Sequence, residues 1–236
     1  MINRLSAGLF ENIGTIFSDG TYMKMIGQGL FTTLTVSAGA AVLGLILGTI
    51  VALVKLQPNS KIMIAPKVIC NVYTTIIRGT PMALQLFVMA FVIFAIRGFP
   101  QEITAIIAFG INSGAYVSEN IRAGIMSVDK GQTEASRALG MGTGYTMLKI
   151  VVPQGMKNVI PAIGNELIAL IKETSIVSMI GMVDLTAVAK IIGSGQNLAT
   201  YLAPTLVVAV FYLAIVYLLT LAIKLVERRL RKSEKR

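Results

Sequence analysis

Four polar residues recur within one apolar stretch of the chain, at Asn112, Tyr116, Glu119 and Arg122. Their spacing places them on one face of an α-helix, with Ser113 beside that face. A guanidinium can bind a carboxylate, and amide, hydroxyl and carboxylate oxygens can accept hydrogen bonds from an ammonium group. The stripe therefore predicts a wall that binds a zwitterionic solute. The alternative is an internal ion pair, because Glu119 and Arg122 lie three residues apart.

A second group of polar residues follows later in the chain, at Glu173, Thr174 and Ser175. Charged side chains inside a bilayer are costly and normally face a cavity or one another. We expect Glu173 to line a cavity together with Thr174 and Ser175. A structural ion pair between Lys172 and Glu173 is the alternative.

Another apolar stretch is interrupted by the sequence Arg78-Gly79-Thr80-Pro81. Proline and glycine break a helix and free backbone groups, which protein or cavity water must satisfy, as in the discontinuous helices of transporters. Gln85 lies one turn beyond the break and is a further predicted lining residue. A simple proline kink packed against a neighbouring helix would explain the same sequence.

Several kinds of chemistry are excluded by composition. The chain has no His and a single Cys, Cys70, so a histidine-dependent catalytic triad, a histidine zinc site and an internal disulfide are absent. It also lacks a Gly-x-x-x-x-Gly-Lys-Ser/Thr phosphate loop. We therefore expect a protein that is not an enzyme.

The composition is that of an all-α integral membrane protein. Of 236 residues, 55% are hydrophobic and 14% charged, and the mean hydropathy is +0.76. The net charge of +10 is spread between long apolar runs. It therefore indicates membrane topology rather than nucleic-acid binding.

Apolar stretches long enough to cross a bilayer predict five spans in a single domain. They cover residues 29–54, 68–96, 103–126, 159–182 and 204–226. Residues 1–20 predict an amphipathic helix on the membrane surface, with a frayed terminus as the alternative. Gly44 and Gly48 suit close helix packing, including a possible dimer face.

The distribution of Lys and Arg predicts the orientation of these spans. Fourteen lie on one side of the membrane and four on the other. Because short cytoplasmic loops carry the excess of Lys and Arg, we expect the N-terminus outside and the C-terminus inside. Residues 127–158 and the basic tail 227–236 are then cytoplasmic.

The 127–158 segment contains signals for two short helices. Asp129, with Gln132 three residues later, forms a capping-box pattern, and Gly140 follows as a stop. A second helix is predicted from Thr143 to Ile150, ended by Pro153. Two short helices joined at a glycine would form a compact projection, which is suited to docking in a partner's groove. An amphipathic loop resting on lipid headgroups is the alternative.

Residues 134–140, Glu-Ala-Ser-Arg-Ala-Leu-Gly, are followed after nine residues by Ile150-Val151-Val152-Pro153. This pattern resembles the EAA loop in the membrane subunits of ABC importers, with Ser136 in place of an alanine and Val152 in place of a leucine. Three further stretches resemble the polar amino acid branch, which includes permeases for histidine, glutamine and arginine. They are Arg78–Pro81 with Gln85, Ser113–Ile125, and Ile160–Asn165 leading to Leu170–Ser175.

The resemblance implies a permease subunit in the cytoplasmic membrane of the cell that imports a polar amino acid by alternating access. The loop would contact a partner ATPase through Glu134, Ala135, Ala138, Leu139 and Gly140. The expected partners are two ATPase subunits, which bind ATP and Mg²⁺, an external amino acid binding protein, and a second permease subunit forming a homodimer. The permease itself would bind no cofactor. The alternative function is an ion-coupled secondary amino acid transporter with ion sites at Glu119 and Glu173.

Overall fold

The computed structural model describes residues 2–194 and 198–231, and these residues form helices without any β-strand. The predicted all-α architecture is therefore confirmed. Residues 232–236 of the predicted basic tail lie outside the described residues. The helices are α1 (Ile2–Ser18), α2 (Gly20–Leu56), α3 (Lys61–Gly79), α4 (Met82–Val88), α5 (Gln101–Met126), α6 (Lys130–Ala138), α7 (Thr143–Thr146), α8 (Val152–Glu173), α9 (Leu185–Ile192) and α10 (Leu198–Arg231).

Three short segments of altered helical pitch extend these helices. π-Helical turns cover Met89–Ile93 after α4 and Met147–Val151 after α7, and a 3-10 helix covers Thr174–Ile180 after α8. The last ends at Gly181, whose φ of 87° favours glycine.

Two helices are long and apolar enough to cross a membrane, namely α2 and residues Tyr201–Leu230 of α10. The number rises to four if each of two bent helix pairs counts as one span. The third predicted span corresponds to α5, which is 26 residues long and carries the polar stripe. The count of five spans and their orientation remain predictions.

The chain divides into two compact units, each assembled from separate stretches of sequence. The first unit comprises Met1–Ala40, Met82–Phe109 and Ala169–Leu218. The second comprises Ala41–Pro81, Gly110–Ile168 and Leu219–Arg236.

The core of the first unit joins α1, α2, α9 and α10. Ile16 and Ile26 pack with Leu185 and Val188 of α9 and with Val207 of α10, and all five side chains are buried. The apolar face of α1 therefore contacts protein at Ile16, whereas Phe10 and Phe17 are exposed. Whether the exposed face lies on the membrane surface remains a prediction.

Asp184 holds the start of α9 in place. Its fully buried carboxylate accepts hydrogen bonds from the backbone N–H groups of Thr186 and Ala187, at 3.0 and 2.9 Å, and from the Tyr212 hydroxyl at 3.3 Å. The Leu185 N–H donates to Thr33 Oγ1 at 3.3 Å. These bonds satisfy helix N-terminal donors that would otherwise be unpaired, and they tie α9 to α2 and α10.

In the second unit, α2 and α5 approach closely at glycines. A Cβ atom added to Gly44 would lie 2.9 Å from Ser113 Cβ, and one added to Gly114 would lie 3.0 Å from Leu47 Cβ. A Cβ on Gly48 would lie 2.6 Å from Val117 Cγ1. Gly44 and Gly48 therefore pack against α5 of the same chain. This contact within the chain explains the spacing of Gly44 and Gly48 without a dimer face.

Replacing Gly48 by Ala is expected to lower the free energy of unfolding by about 1–3 kcal/mol, the usual cost of overpacking. The new methyl group would clash with Val117 and with the Gly114 carbonyl oxygen, 2.8 Å away. Gly27→Ala is the matched control, because it lies in the same helix and a Cβ there meets no atom within 4 Å. Thermal unfolding in detergent should separate the two variants, and equal midpoints would contradict the close packing.

Candidate functional site

The segment predicted to contact a partner begins with a well-capped helix in the second unit. The Asp129 carboxylate accepts a hydrogen bond from the Gly131 N–H at 2.7 Å at the start of α6. The chain leaves the helix through Gly140, whose φ is 78°. That conformation suits glycine and ends the helix where the sequence predicts.

In a capping box, the Gln132 side chain would accept a hydrogen bond from the backbone N–H of Asp129. In the structure it bonds to a different helix. Its side-chain oxygen accepts a hydrogen bond from Gln154 Nε2 at 3.1 Å, which ties α6 to α8. Ser136, which replaces the alanine of the family pattern, is 5% exposed, and its hydroxyl donates to the Gln132 carbonyl oxygen at 2.7 Å. The inner face of α6 is therefore held against the rest of the unit.

The outer face of α6 is open. Glu134, Ala135, Ala138 and Gly140 are all exposed, and Leu139 is 77% exposed. Further exposed apolar side chains follow at Tyr145, Met147 and Leu148. We call the residues Glu134, Ala135, Ala138, Leu139, Gly140, Tyr145, Met147 and Leu148 the coupling face. Its apolar surface next to one carboxylate is suited to binding a partner protein.

The second predicted helix of this segment differs from the expectation. Gly142 is the N-cap and α7 begins at Thr143, but the helix does not end at Pro153. It continues through Met147–Val151 into α8, where Pro153 is the second residue. The Val152 N–H bonds to the Met147 carbonyl oxygen, five residues back, so the usual i to i−4 hydrogen bonding is already interrupted next to the proline, which has no N–H. The prediction of a stop at Pro153 was therefore wrong.

The polar stripe on α5 is partly buried. Asn112 and Ser113 are 4% and 2% exposed, and Ser113 lies beneath Gly44 of α2. The Tyr73 hydroxyl donates to the Ile111 carbonyl oxygen at 2.5 Å, which joins α3 to α5. Tyr116 is half-buried, with the Arg78 guanidinium 5.2 Å above its ring centroid. Arg78 and Tyr116, predicted separately, therefore form a cation–π contact.

Glu119 is shared between two cations. Its Oε1 accepts from Lys55 Nζ at 2.6 Å, and its Oε2 accepts from Arg122 at 2.8 and 3.0 Å. Lys55 also donates to Thr74 Oγ1 at 2.9 Å. The structure thus contains the internal Glu119–Arg122 pair that was the alternative to a solute-binding wall. It adds a third member, Lys55, which sequence reasoning placed in a loop.

The chain breaks at the predicted interruption. α3 ends at Gly79, and α4 begins at Met82. Thr80 is extended, with φ −121° and ψ 147°, as expected before a proline. Its hydroxyl donates to the Ile76 carbonyl oxygen at 2.9 Å, which satisfies one of the carbonyls that the helix end leaves without an intrahelical partner.

The first unit contains a cavity of 340 Å³ around the end of α8. Its lining includes Ser175, but the charged residues in it are Lys172 and Lys190 rather than Glu173. The remaining lining residues are Thr186, Ala189, Tyr201, Thr205, Val208, Ala209 and Tyr212. Glu173 is exposed at the last position of α8.

Two other predicted lining residues in this unit have different surroundings. Thr174 is fully buried, and its hydroxyl donates to the Ile171 carbonyl oxygen at 2.7 Å and lies 3.4 Å from the Ser37 hydroxyl. Gln85 is half-buried in α4. Of Glu173, Thr174 and Ser175, only Ser175 lines the cavity.

Sequence reasoning missed Thr186 and Lys190 because it did not predict α9. It missed Tyr212, which lies in α10, because its place in the cavity depends on the packing of α10 against α9. A signal for α9 was present. Asp184 is a favourable N-cap, and Leu185, Val188, Ala189 and Ile192 follow at helical spacing. The helix was overlooked because it is only 8 residues long.

The sequence matches a known protein family and is similar to several named transport permeases. Residues 44–232 match the family described as "Binding-protein-dependent transport system inner membrane component". The arginine transport system permease protein ArtQ of Bacillus subtilis is 40% identical over 90% of this chain and 95% of its own length. A putative glutamine transport system permease protein GlnP of Rickettsia typhi is 39% identical, over 86% of this chain and 91% of its own.

Solved structures have the same fold. A crystal structure of an amino acid ABC transporter with histidines has a TM-score of 0.80 at 38% identity, covering 89% of this chain and 95% of the other. The inward-facing MetNI methionine ABC transporter has a TM-score of 0.72 at 20% identity, covering 90% and 99%, and therefore supports the fold alone. The chain is a membrane protein that belongs to the family of inner-membrane components of binding-protein-dependent transport systems.

Proposed function

We propose that this chain is the transmembrane subunit of an ATP-driven importer of a polar amino acid. The observation that carries the proposal is the coupling face, where Glu134, Ala135 and Gly140 match the EAA pattern. These three residues are exposed together with Ala138 and Leu139. The chain has no phosphate-loop sequence of its own. A partner ATPase seated on the coupling face would supply the driving force.

The substrate class follows from the relatives. Permeases named for arginine, glutamine and L-cystine transport are 36–40% identical to this chain. All three amino acids have polar side chains, so a polar amino acid is the proposed substrate. Its proposed path is lined by Gln85, Asn112, Ser113, Tyr116, Glu119, Arg122, Glu173, Thr174 and Ser175, with the break at Arg78–Pro81 providing backbone groups.

The proposed assembly contains two copies of this chain, two ATPase subunits and an external binding protein. ATP-driven closure of the ATPases would move α6 through the coupling face. Because Gln132 and Gln154 join α6 to α8, a displacement of α6 would be passed to a membrane helix. The spans would then alternate between outward and inward access.

The alternative function, an ion-coupled secondary carrier, is predicted to bind its coupling ion at Glu119 and Glu173. Both oxygens of Glu119 are held by Lys55 and Arg122, so Glu119 is poorly suited to that role. This pairing argues against one of the two ion sites of the secondary carrier and leaves Glu173 as its only predicted ion site.

Uptake by reconstituted proteoliposomes tests the proposal. With the partner ATPase and binding protein present, uptake of a labelled polar amino acid should require ATP and persist when ionophores remove every ion gradient. The chain reconstituted alone is the control and should not accumulate the solute. Accumulation driven by a proton or sodium gradient without ATP would instead establish the secondary carrier.

A further inference from the structure

The second unit contains a polar cavity of 340 Å³, a size typical of small-ligand sites. It lies where the last turn of α2, the turn before α3, α3 itself and α5 come together. Its lining residues are Lys55, Asn59, Lys67, Asn71, Glu119 and Arg122. Glu119 and Arg122 also belong to the proposed solute path, but no step of the proposed transport mechanism uses Lys67, Asn59 or Asn71.

The charges around this cavity are not balanced. Three of its lining residues are cations and one is a carboxylate, which leaves an excess of two positive charges. Glu119 is already shared between Lys55 and Arg122. Lys67 Nζ donates to the Gln57 carbonyl oxygen at 2.5 Å and to Asn59 Oδ1 at 2.7 Å, and both of these acceptors are neutral. The cavity is therefore an electrostatically favourable place for an anion.

The groups in the cavity suit a phosphate in particular. Two lysines, one arginine and two asparagines line the same space. Phosphate oxygens accept several charge-assisted hydrogen bonds at once from side chains of these types. The Asn71 side chain can donate to an oxygen without adding charge. The combination of charged and neutral donors distinguishes a phosphate-binding site from a surface that is only basic.

The position of the cavity favours a phosphate that is attached to a lipid. Lys55 lies in the last turn of the long apolar helix α2, beside the polar turn formed by Gln57, Pro58, Asn59 and Ser60. Apolar residues close in sequence to Lys55 and Lys67 are exposed, with Leu53, Ile64 and Val68 at 55%, 61% and 54%. Acyl chains can cover this apolar surface while the headgroup enters the polar cavity.

We propose that this cavity binds the phosphate headgroup of an anionic membrane phospholipid, with Lys67 and Asn71 as its specific contacts. Basic pockets between transmembrane helices are suited to this kind of ligand. The bound phosphate would offset the surplus charge that Glu119 leaves unbalanced. It would also link the α2–α3 turn to α5.

The test measures phospholipid binding to the full chain in its assembled complex. The complex is placed in mixed micelles containing phosphatidylglycerol or phosphatidylcholine, and bound lipid is quantified by native mass spectrometry. Wild type should retain phosphatidylglycerol in preference to phosphatidylcholine. Lys67→Gln should weaken phosphatidylglycerol binding about ten-fold or more, the effect expected for the loss of a charge-assisted hydrogen bond to the phosphate. Asn71→Ala should also weaken it, although the net charge is unchanged.

Lys61→Gln is the matched control, because Lys61 is exposed on the same helix and does not line the cavity. It should retain phosphatidylglycerol like wild type. Equal binding by Lys61→Gln and Lys67→Gln would overturn the proposal, since only general attraction would remain. A further arm replaces the lipid by inorganic phosphate at millimolar concentration. Thermal stabilisation by phosphate that equals stabilisation by phosphatidylglycerol, and is lost in Lys67→Gln, would overturn the lipid assignment in favour of a soluble phosphate.

Discussion

Replacing Leu139 by Asp is expected to lower substrate-stimulated ATP hydrolysis and coupled uptake about 30-fold or more in the assembled transporter. Leu139 is 77% exposed in the isolated chain, so its side chain contributes little to folding. Seated in a partner's cleft, the new carboxylate would be buried without a cation, which costs at least about 2 kcal/mol. Both activities are measured in proteoliposomes that contain the ATPase and the binding protein.

A substitution by Asp at the other end of α6 provides the control. Lys130→Asp introduces an exposed carboxylate in the first helical turn, outside the coupling face and where the helix dipole favours it. Its transport should match wild type.

Glu134→Ala and Gly140→Ala should also reduce coupling. In Gly140→Ala the reason is that an alanine at a φ of 78° shifts the direction in which the chain leaves α6. Normal transport by Leu139→Asp, at an unchanged amount of inserted protein, would remove the coupling face from the mechanism.

The sequence was informative about this face because its determinants are local. The cap at Asp129 and the positive φ at Gly140 each depend on a few neighbouring residues, and both are found in the structure. The continuation of the helix through Pro153 could not be predicted, because it depends on a π-helical turn that no residue type specifies. Proline therefore indicated a stop at a position through which the structure continues as a helix.

The polar residues of the predicted spans show which contacts the sequence could not predict. The spacing of Glu119 and Arg122 predicted that they share a helix face, and the structure places them in contact. The same spacing could not indicate Lys55, which is 64 residues away in the chain and reaches Glu119 only because α2 packs on α5. For the same reason, the arrangement of Lys190 and Tyr212 around one cavity depends on the packing of α9 and α10, which helical periodicity does not specify.

Glu119→Gln is expected to lower the free energy of unfolding by about 2–4 kcal/mol, somewhat below the cost of breaking a fully buried ion pair. The substitution keeps the shape of the side chain and removes the only carboxylate that Lys55 and Arg122 share within the described part of the chain. Lys55 is affected most, because its side chain is 10% exposed against 36% for Arg122. Titration with SDS in mixed micelles measures the change.

Two further variants distinguish a role of Glu119 in pairing with Lys55 and Arg122 from a role in binding the transported solute. Glu102→Gln is the matched control, since it makes the same change at an exposed position of α5 and should alter stability by less than about 1 kcal/mol. Lys55→Gln combined with Glu119→Gln should recover part of the lost stability, because one of the unpaired cations is gone. A Glu119→Gln protein that unfolds like wild type but binds the amino acid substrate more weakly would contradict the pairing role and return Glu119 to the wall of the solute path.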